Sequence, residues 1–242
     1  MTSGPPAALI LVGGPPTDHD FDALGAALAE SLTTEGFGCE ITADPAELTR
    51  RLTGGGRRPD LVAVLALRWT MTADRYAPLR DRWAYSPPPA TREALVDHVE
   101  RGGGLLAMHT ACICFDDWPG WGDLLGASWA WGRSSHPPVG SCRVSPTGAN
   151  HEITSGLEAF TIEDEVYASL DQRPGAGPLL TVAHDGVDQP VLWARTRGAG
   201  RVVVDTLGHS PESLRHPTHQ LLIRRSARWA LGSASASPES GT

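Results

Sequence analysis

Apolar positions follow two rhythms along the first half of the chain, and the rhythms alternate. Ala7–Gly13 and residues 61–67 are short apolar runs without polar interruption, the pattern of strands buried on both faces. Between them Phe21, Leu24, Leu28 and Leu32 recur at helical spacing and predict a helix that stops near Gly36, with Asp18 or Asp20 as its cap. Residues 39–42 read as a second strand and 45–52 as a short helix, capped by Asp44 and opened by Pro45, whose missing N–H costs nothing there. A helix capped by Thr91 runs to Glu100, and Gly102-Gly103-Gly104 returns the chain to an apolar run that stops at His109.

Beyond that point the helical rhythm thins. Trp118, Trp121, Leu124 and Leu125 mark one face of a short helix, and a strand is expected around Cys142 and Val144. Residues 179–183, 191–194 and 201–206 read as later strands, and 218–231 as a closing helix ended by Gly232. Alternating strands and helices imply a parallel, doubly wound α/β sheet, extended by the later strands as an antiparallel edge.

At 242 residues the chain is long enough for one substantial core, and a single domain over residues 1–232 is expected. The small, polar residues 233–242 are expected to be a disordered tail. The formal charge is −8 with no lysine, which argues against nucleic acid and removes a Schiff-base or phosphate-loop lysine. Gly13-Gly14 belongs to no GxGxxG or GxxxxGKT pattern, so no nucleotide cofactor is expected. Residues 7–12 are too short for a signal or membrane span, and the four cysteines lack a disulfide framework, which together place the protein in the cytoplasm.

In a parallel sheet, polar residues at the carboxyl ends of strands face the ligand crevice. His109 and His209 each follow a buried run, so both are expected to address one cavity as catalytic groups. His136 sits in a proline-stiffened loop, and Glu165 closes an acidic run with Glu163 and Asp164 that burial alone does not suit. His109, His136, Glu165 and His209 could hold a divalent metal, zinc first among them. A metal-free acid–base centre, or histidines that serve structure only, are the other readings. Glu212 is placed to orient His209, while His19 stands nearer the rim and His98 on the surface. Trp69, Asp116, Trp118 and Trp131 are the candidate substrate contacts, in a region where aromatic residues alternate with Arg68, Arg75, Arg80 and Arg82. That region could equally pack over the sheet edge, or support a homodimer. Cys112 reads as an inert buried thiol.

Several segments together resemble the trehalose-utilisation (ThuA-like) family of the class I glutamine-amidotransferase-like superfamily. They include Gly103 through Ala111, His136-Pro137-Pro138, Phe160 through Tyr167, Pro190 through Trp193, and Gly200 through Ser213. The resemblance implies a three-layer, flavodoxin-like fold and metabolism of a small carbohydrate or oxidised sugar derivative. It also implies that His109 stands where amidotransferases carry a nucleophilic cysteine, so glutamine hydrolysis is disfavoured. Hydrolase, isomerase and lyase chemistry stay open, as does a non-catalytic carbohydrate-binding or assembly role.

Overall fold

The computed structural model describes residues 4–232; the expected tail at 233–242 lies outside the described residues. In chain order the elements are β1 (Ala7–Gly13), α1 (Phe21–Thr34), β2 (Gly38–Thr42), α2 (Pro45–Thr53), β3 (Leu61–Ala66), α3 (Ala77–Trp83), α4 (Pro89–Glu100), β4 (Gly104–Met108) and α5 (Pro119–Leu125). They continue with β5 (Ala127–Ser128), β6 (Gly140–Pro146), β7 (Phe160–Asp164), β8 (Asp171–Gln172), β9 (Pro178–His184), β10 (Val187–Arg197), β11 (Gly200–Asp205), α6 (Pro211–Arg215) and α7 (Pro217–Ala230).

One sheet runs in the order β2-β1-β3-β4-β11-β10-β9-β6-β7. Its first five strands are mutually parallel and its last four pair antiparallel. The parallel half has the flavodoxin-like order, with a switch point between β1 and β3. The alternation of side chains divides the core into two layers. Ala8, Ile10 and Val12 of β1 join α1 and α7 on one face, whereas Leu9 and Leu11 join α2, α4 and α5 on the other. Helices therefore cover both faces, which is why these strands read as continuous apolar runs.

The antiparallel half curls. In a flat sheet β7 would lie about 19 Å from β11, four strand spacings away. Yet the Asp164 carboxylate at the end of β7 accepts from the Gly208 N–H at 2.8 Å and the His209 N–H at 3.2 Å, just past β11. The extension thus folds back and delivers its own carboxyl end to the crevice of the parallel half.

Three local expectations change. Residues 77–83 form the short helix α3, where the sequence pattern predicts no element. Helix α4 begins at Pro89, and Thr91 lies inside it, its hydroxyl 2.7 Å from that of Thr49 on α2. His98 is buried, not on the surface: its Nε2 donates to the Gly104 carbonyl at 2.9 Å, and its ring occupies the space a Cβ on Gly103 would need. Among the described residues no helix is long and apolar enough to cross a membrane.

Candidate active site

The chain turns sharply at the end of β4. His109 has φ +44°, a left-handed conformation that costs a non-glycine residue about 1–2 kcal/mol. The turn is pinned on three sides. The Thr110 hydroxyl donates to the Ala66 carbonyl at 2.7 Å, the Trp121 indole to the Ala111 carbonyl at 2.9 Å, and the His109 ring meets the loop after β11. In that loop Gly208 has φ +115°, and a Cβ on it would lie 3.0 Å from Leu214. Close approach there requires glycine.

His109 is fully buried, and its Nδ1 lies 2.8 Å from the Thr206 carbonyl. A carbonyl only accepts, so Nδ1 carries the proton and Nε2 turns its lone pair into the crevice. That nitrogen is 3.1 Å from His19 Nε2, 3.2 Å from the Tyr167 hydroxyl and 3.6 Å from Glu165 Oε2. The His209 and His109 ring centroids are 5.6 Å apart, and those of His19 and His209 4.6 Å. The two histidines a hundred positions apart thus meet in one crevice, joined by His19 from the loop after β1.

Asp164 welds the crevice together from below. Its Oδ1 accepts from the backbone N–H of Glu165 and of His209, and its Oδ2 from the Gly208 N–H and the Ser213 hydroxyl. One buried carboxylate therefore fixes both Glu165 and the His209 loop. Glu165 in turn places Oε1 3.2 Å from His136 Nδ1 and 3.4 Å from His209 Nδ1; the second approach lacks hydrogen-bond alignment, leaving His209 Nδ1 buried and unpartnered.

The electrostatics divide the histidines into two pairs. Burial lowers His19 to about 4, helped by the neighbouring His109 and His209, and burial likewise lowers His109. Interaction with Glu165 raises both His136 and His209. For Glu165 itself burial opposes ionisation, but His136 and His209 outweigh it and hold the carboxyl well below its usual range.

His19, His109, Glu165 and His209 each offer a ligand atom within 4.8 Å of the others. Ligands about 2.0–2.1 Å from a tetrahedral zinc stand about 3.3 Å apart. The contacts of 3.1, 3.6 and 3.4 Å among these groups bracket that value. The lowered His19 and His109, the ionised Glu165 and the Thr206 carbonyl behind His109 are the protonation states and outer support such an ion needs, while His209, raised by Glu165, must give up its proton to join them. The donor set fits a divalent cation.

His19 replaces His136 in that set. His136, about half exposed, reaches Glu165 from the cavity rim. Glu212 is corrected: it is fully exposed in the first turn of α6, bonded to Ser210, and the carboxylate facing His209 is Glu165.

Above the cluster opens a cavity of about 510 Å³. Trp69 and Trp131 line it, together with Tyr76, Trp129 and Tyr167, which the sequence did not single out as contacts. Asp116 and Trp118 do not line it. Asp116 is consumed by the Thr70 N–H at 2.8 Å, the Thr70 hydroxyl at 2.9 Å and the Trp131 indole at 2.9 Å, so it braces the aromatic wall from outside. Trp118 stacks on Trp121 beneath Arg92. Cys112 and Cys114 are buried thiols pushed upward by burial, Cys114 to about 12. His19 was the residue hardest to see, because its only signal was a position shortly after the first strand.

Fold and site define an α/β protein of amidotransferase-like topology whose central elbow presents an imidazole, facing two further histidines and a glutamate. The chain belongs to the trehalose-utilisation (ThuA) family, whose model matches residues 8–230. No curated protein matches. Among solved structures it is similar to a ThuA-like protein from Parabacteroides merdae, with 18% identity, TM-score 0.74, and coverage of 94% of this chain and 90% of that one. A ThuA-like protein from Bacteroides uniformis has 21% identity, TM-score 0.67, and coverage of 95% and 93%. A β-galactosidase from a Rahnella species has 14% identity and TM-score 0.59, and 96% of this chain matches 32% of that one. At these identities the structural likeness speaks for the fold.

Proposed function

We propose that the protein is a cytoplasmic enzyme that acts on a small carbohydrate or oxidised sugar derivative through histidine and carboxylate acid–base chemistry. The observation that carries this reading is the division of four histidines around one glutamate. His19 and His109 are driven toward the neutral, proton-accepting form, and His136 and His209 toward the charged, proton-donating form. Groups whose environments separate their proton affinities within one crevice are the means of running acid and base steps together.

Thr206 retains the proton on His109 Nδ1, so the buried Nε2 accepts from Tyr167 or His19 and acts on the cavity through these two residues, which line it. Glu165 holds the imidazolium forms of His136 and His209 facing the same space. Trp69, Trp129 and Trp131 supply apolar faces against which the C–H face of a sugar ring packs, and they exclude water from one side of the cavity. With His209 in its neutral form instead, His19, His109, Glu165 and His209 would hold a zinc ion, which when bound would supply Lewis-acid polarisation of a sugar carbonyl or hydroxyl. Family membership supports a carbohydrate substrate, and the unpaired thiols agree with a reducing compartment.

The test is turnover of neutral disaccharides and their keto-sugar derivatives, followed by proton NMR, with the protein as purified, after chelation, and after zinc addition. His109→Ala and His209→Ala should each abolish turnover while preserving the melting temperature within a few degrees. Undiminished turnover in both folded variants would refute their roles. Tight sugar binding without turnover in any metal state would instead identify a binding protein.

A further inference from the structure

A second cavity, of about 550 Å³, opens at the carboxyl ends of β1, β2 and β3, on the far side of His19 from the candidate active site. Each of the three neighbouring strands contributes to it: Gly13 ends β1 and Gly14 follows it, Ala43 follows β2, and Arg68 follows β3. It lies beside the β1/β3 switch point, where open α/β sheets offer a ready crevice. Its floor is the Arg68 guanidinium. A Cβ at Gly13, whose φ is +103°, would come within 2.9 Å of Arg68 Nη2, so the turn leaves room for this side chain to lie over the backbone.

Arg68 is more than half buried, and no carboxylate among the described residues pairs with it. Nη2 donates to the Ala43 carbonyl at 2.9 Å, and Nε is buried without a partner. Asp44, the acid near enough to influence it, already accepts from the Ala46 N–H at 2.8 Å and from Arg50 at 3.3 Å. A partly desolvated cation with unused donors is costly to keep. Trp83 forms the side wall, with the Arg68 guanidinium 5.5 Å from its ring centroid and that of Arg82 5.0 Å away. Across the cavity stand Asp18, Asp20 and Asp22, of which Asp20 spends one oxygen on capping α1 at the Ala23 N–H.

We infer that this cavity binds a small monocarboxylate bearing hydroxyl groups, its carboxylate held by Arg68 and its hydroxyls donating to the aspartates opposite. A fork of guanidinium donors matches a carboxylate. The three acids disfavour a phosphate dianion more than a singly charged carboxylate and accept hydrogen bonds from a polyol, so the two sides of the cavity select opposite ends of one ligand. The cavity adjoins the histidine–glutamate centre, since Thr17, Asp18 and His19 line both, but its ligand is held by Arg68 and does not depend on the reaction proposed there.

The experiment is calorimetric titration of the full chain with gluconate, glucose and inorganic phosphate. Gluconate should bind, and glucose and phosphate more weakly by about tenfold or more. Arg68→Gln should weaken gluconate to the same degree. Ala43→Glu keeps Arg68 but supplies an internal carboxylate from the cavity edge, so it should abolish gluconate binding even where Arg68→Gln does not fold. His109→Ala should leave gluconate binding unchanged. Phosphate binding as tight as gluconate would overturn the ligand class. Gluconate binding insensitive to Ala43→Glu, abolished by His109→Ala, or absent from the wild type would overturn the site.

Discussion

Asp164→Asn tests whether one buried carboxylate holds both halves of the crevice. Each oxygen of Asp164 accepts from two donors, the N–H groups of Glu165 and His209 on Oδ1 and the Gly208 N–H and Ser213 hydroxyl on Oδ2. Whichever way an asparagine amide turns, its oxygen keeps one pair, and the other two donors face an NH2 group. Two buried donors without acceptors cost about 1–3 kcal/mol each, so the substitution should remove about 2–6 kcal/mol. Against a total of about 5–15 kcal/mol for a folded domain, that is a large share. Urea unfolding should show a lower midpoint at unchanged slope. Zinc affinity should fall as well, because Glu165 and His209 lose their common anchor. A loss below about 1 kcal/mol with zinc binding intact would refute the reasoning.

Two further measurements examine the groups behind the crevice. Burial opposes charge on His219, yet Asp205 at 3.2 Å, reinforced by Asp164, raises it above the ordinary value of 6.5. Its contribution to stability is therefore full below about pH 6.5 and fades as pH rises through the higher folded value. Urea midpoints between pH 6 and 9 should fall in the wild type more steeply than in His219→Gln, which should itself lose about 3–5 kcal/mol at low pH; parallel profiles would show that the pair is not charged. Cys112 and Cys114, raised by burial, should resist a thiol-specific disulfide reagent at pH 8 in the native protein and react on unfolding, and rapid native labelling of Cys112 would refute its reading as an inert buried thiol.

The parallel half of the fold was legible because strands buried on both faces leave no polar residue to disguise them. Ala7–Gly13 and Gly104–Met108 announce themselves. The site was legible only where a strand end coincided with a histidine, at His109 and His209. Glu165 was legible as an acid in apolar company, but its partners were not, since they depend on the curl that brings β7 beside β11. The choice of Glu212 followed from sequence proximity to His209. Tertiary folding overrode it, because α6 turns that side chain to solvent and supplies a carboxylate from forty-odd positions upstream. Asp116 failed for a similar reason: an acid beside tryptophans resembles a sugar contact, yet its three donors belong to the protein.

The elbow at residue 109 carries the last prediction. A left-handed β-carbon-bearing residue is retained there although glycine would adopt φ +44° without strain. For the backbone alone glycine would suit the turn better; with histidine there, the sharp turn aims Nε2 away from Thr206 and toward His19 and Glu165. Removing the ring by His109→Ala and by His109→Gly vacates the same contacts, so the two variants differ only in backbone preference. His109→Gly should be the more stable by up to about 1.5 kcal/mol, strain relief of about 1–2 kcal/mol exceeding the entropy cost of glycine of about 0.5–1 kcal/mol. Neither should hold an added divalent cation at the cluster of His19, Glu165 and His209 as tightly as the wild type. An alanine variant more stable than the glycine variant would mean that the turn is relaxed in solution, and that the direction of Nε2 has another cause.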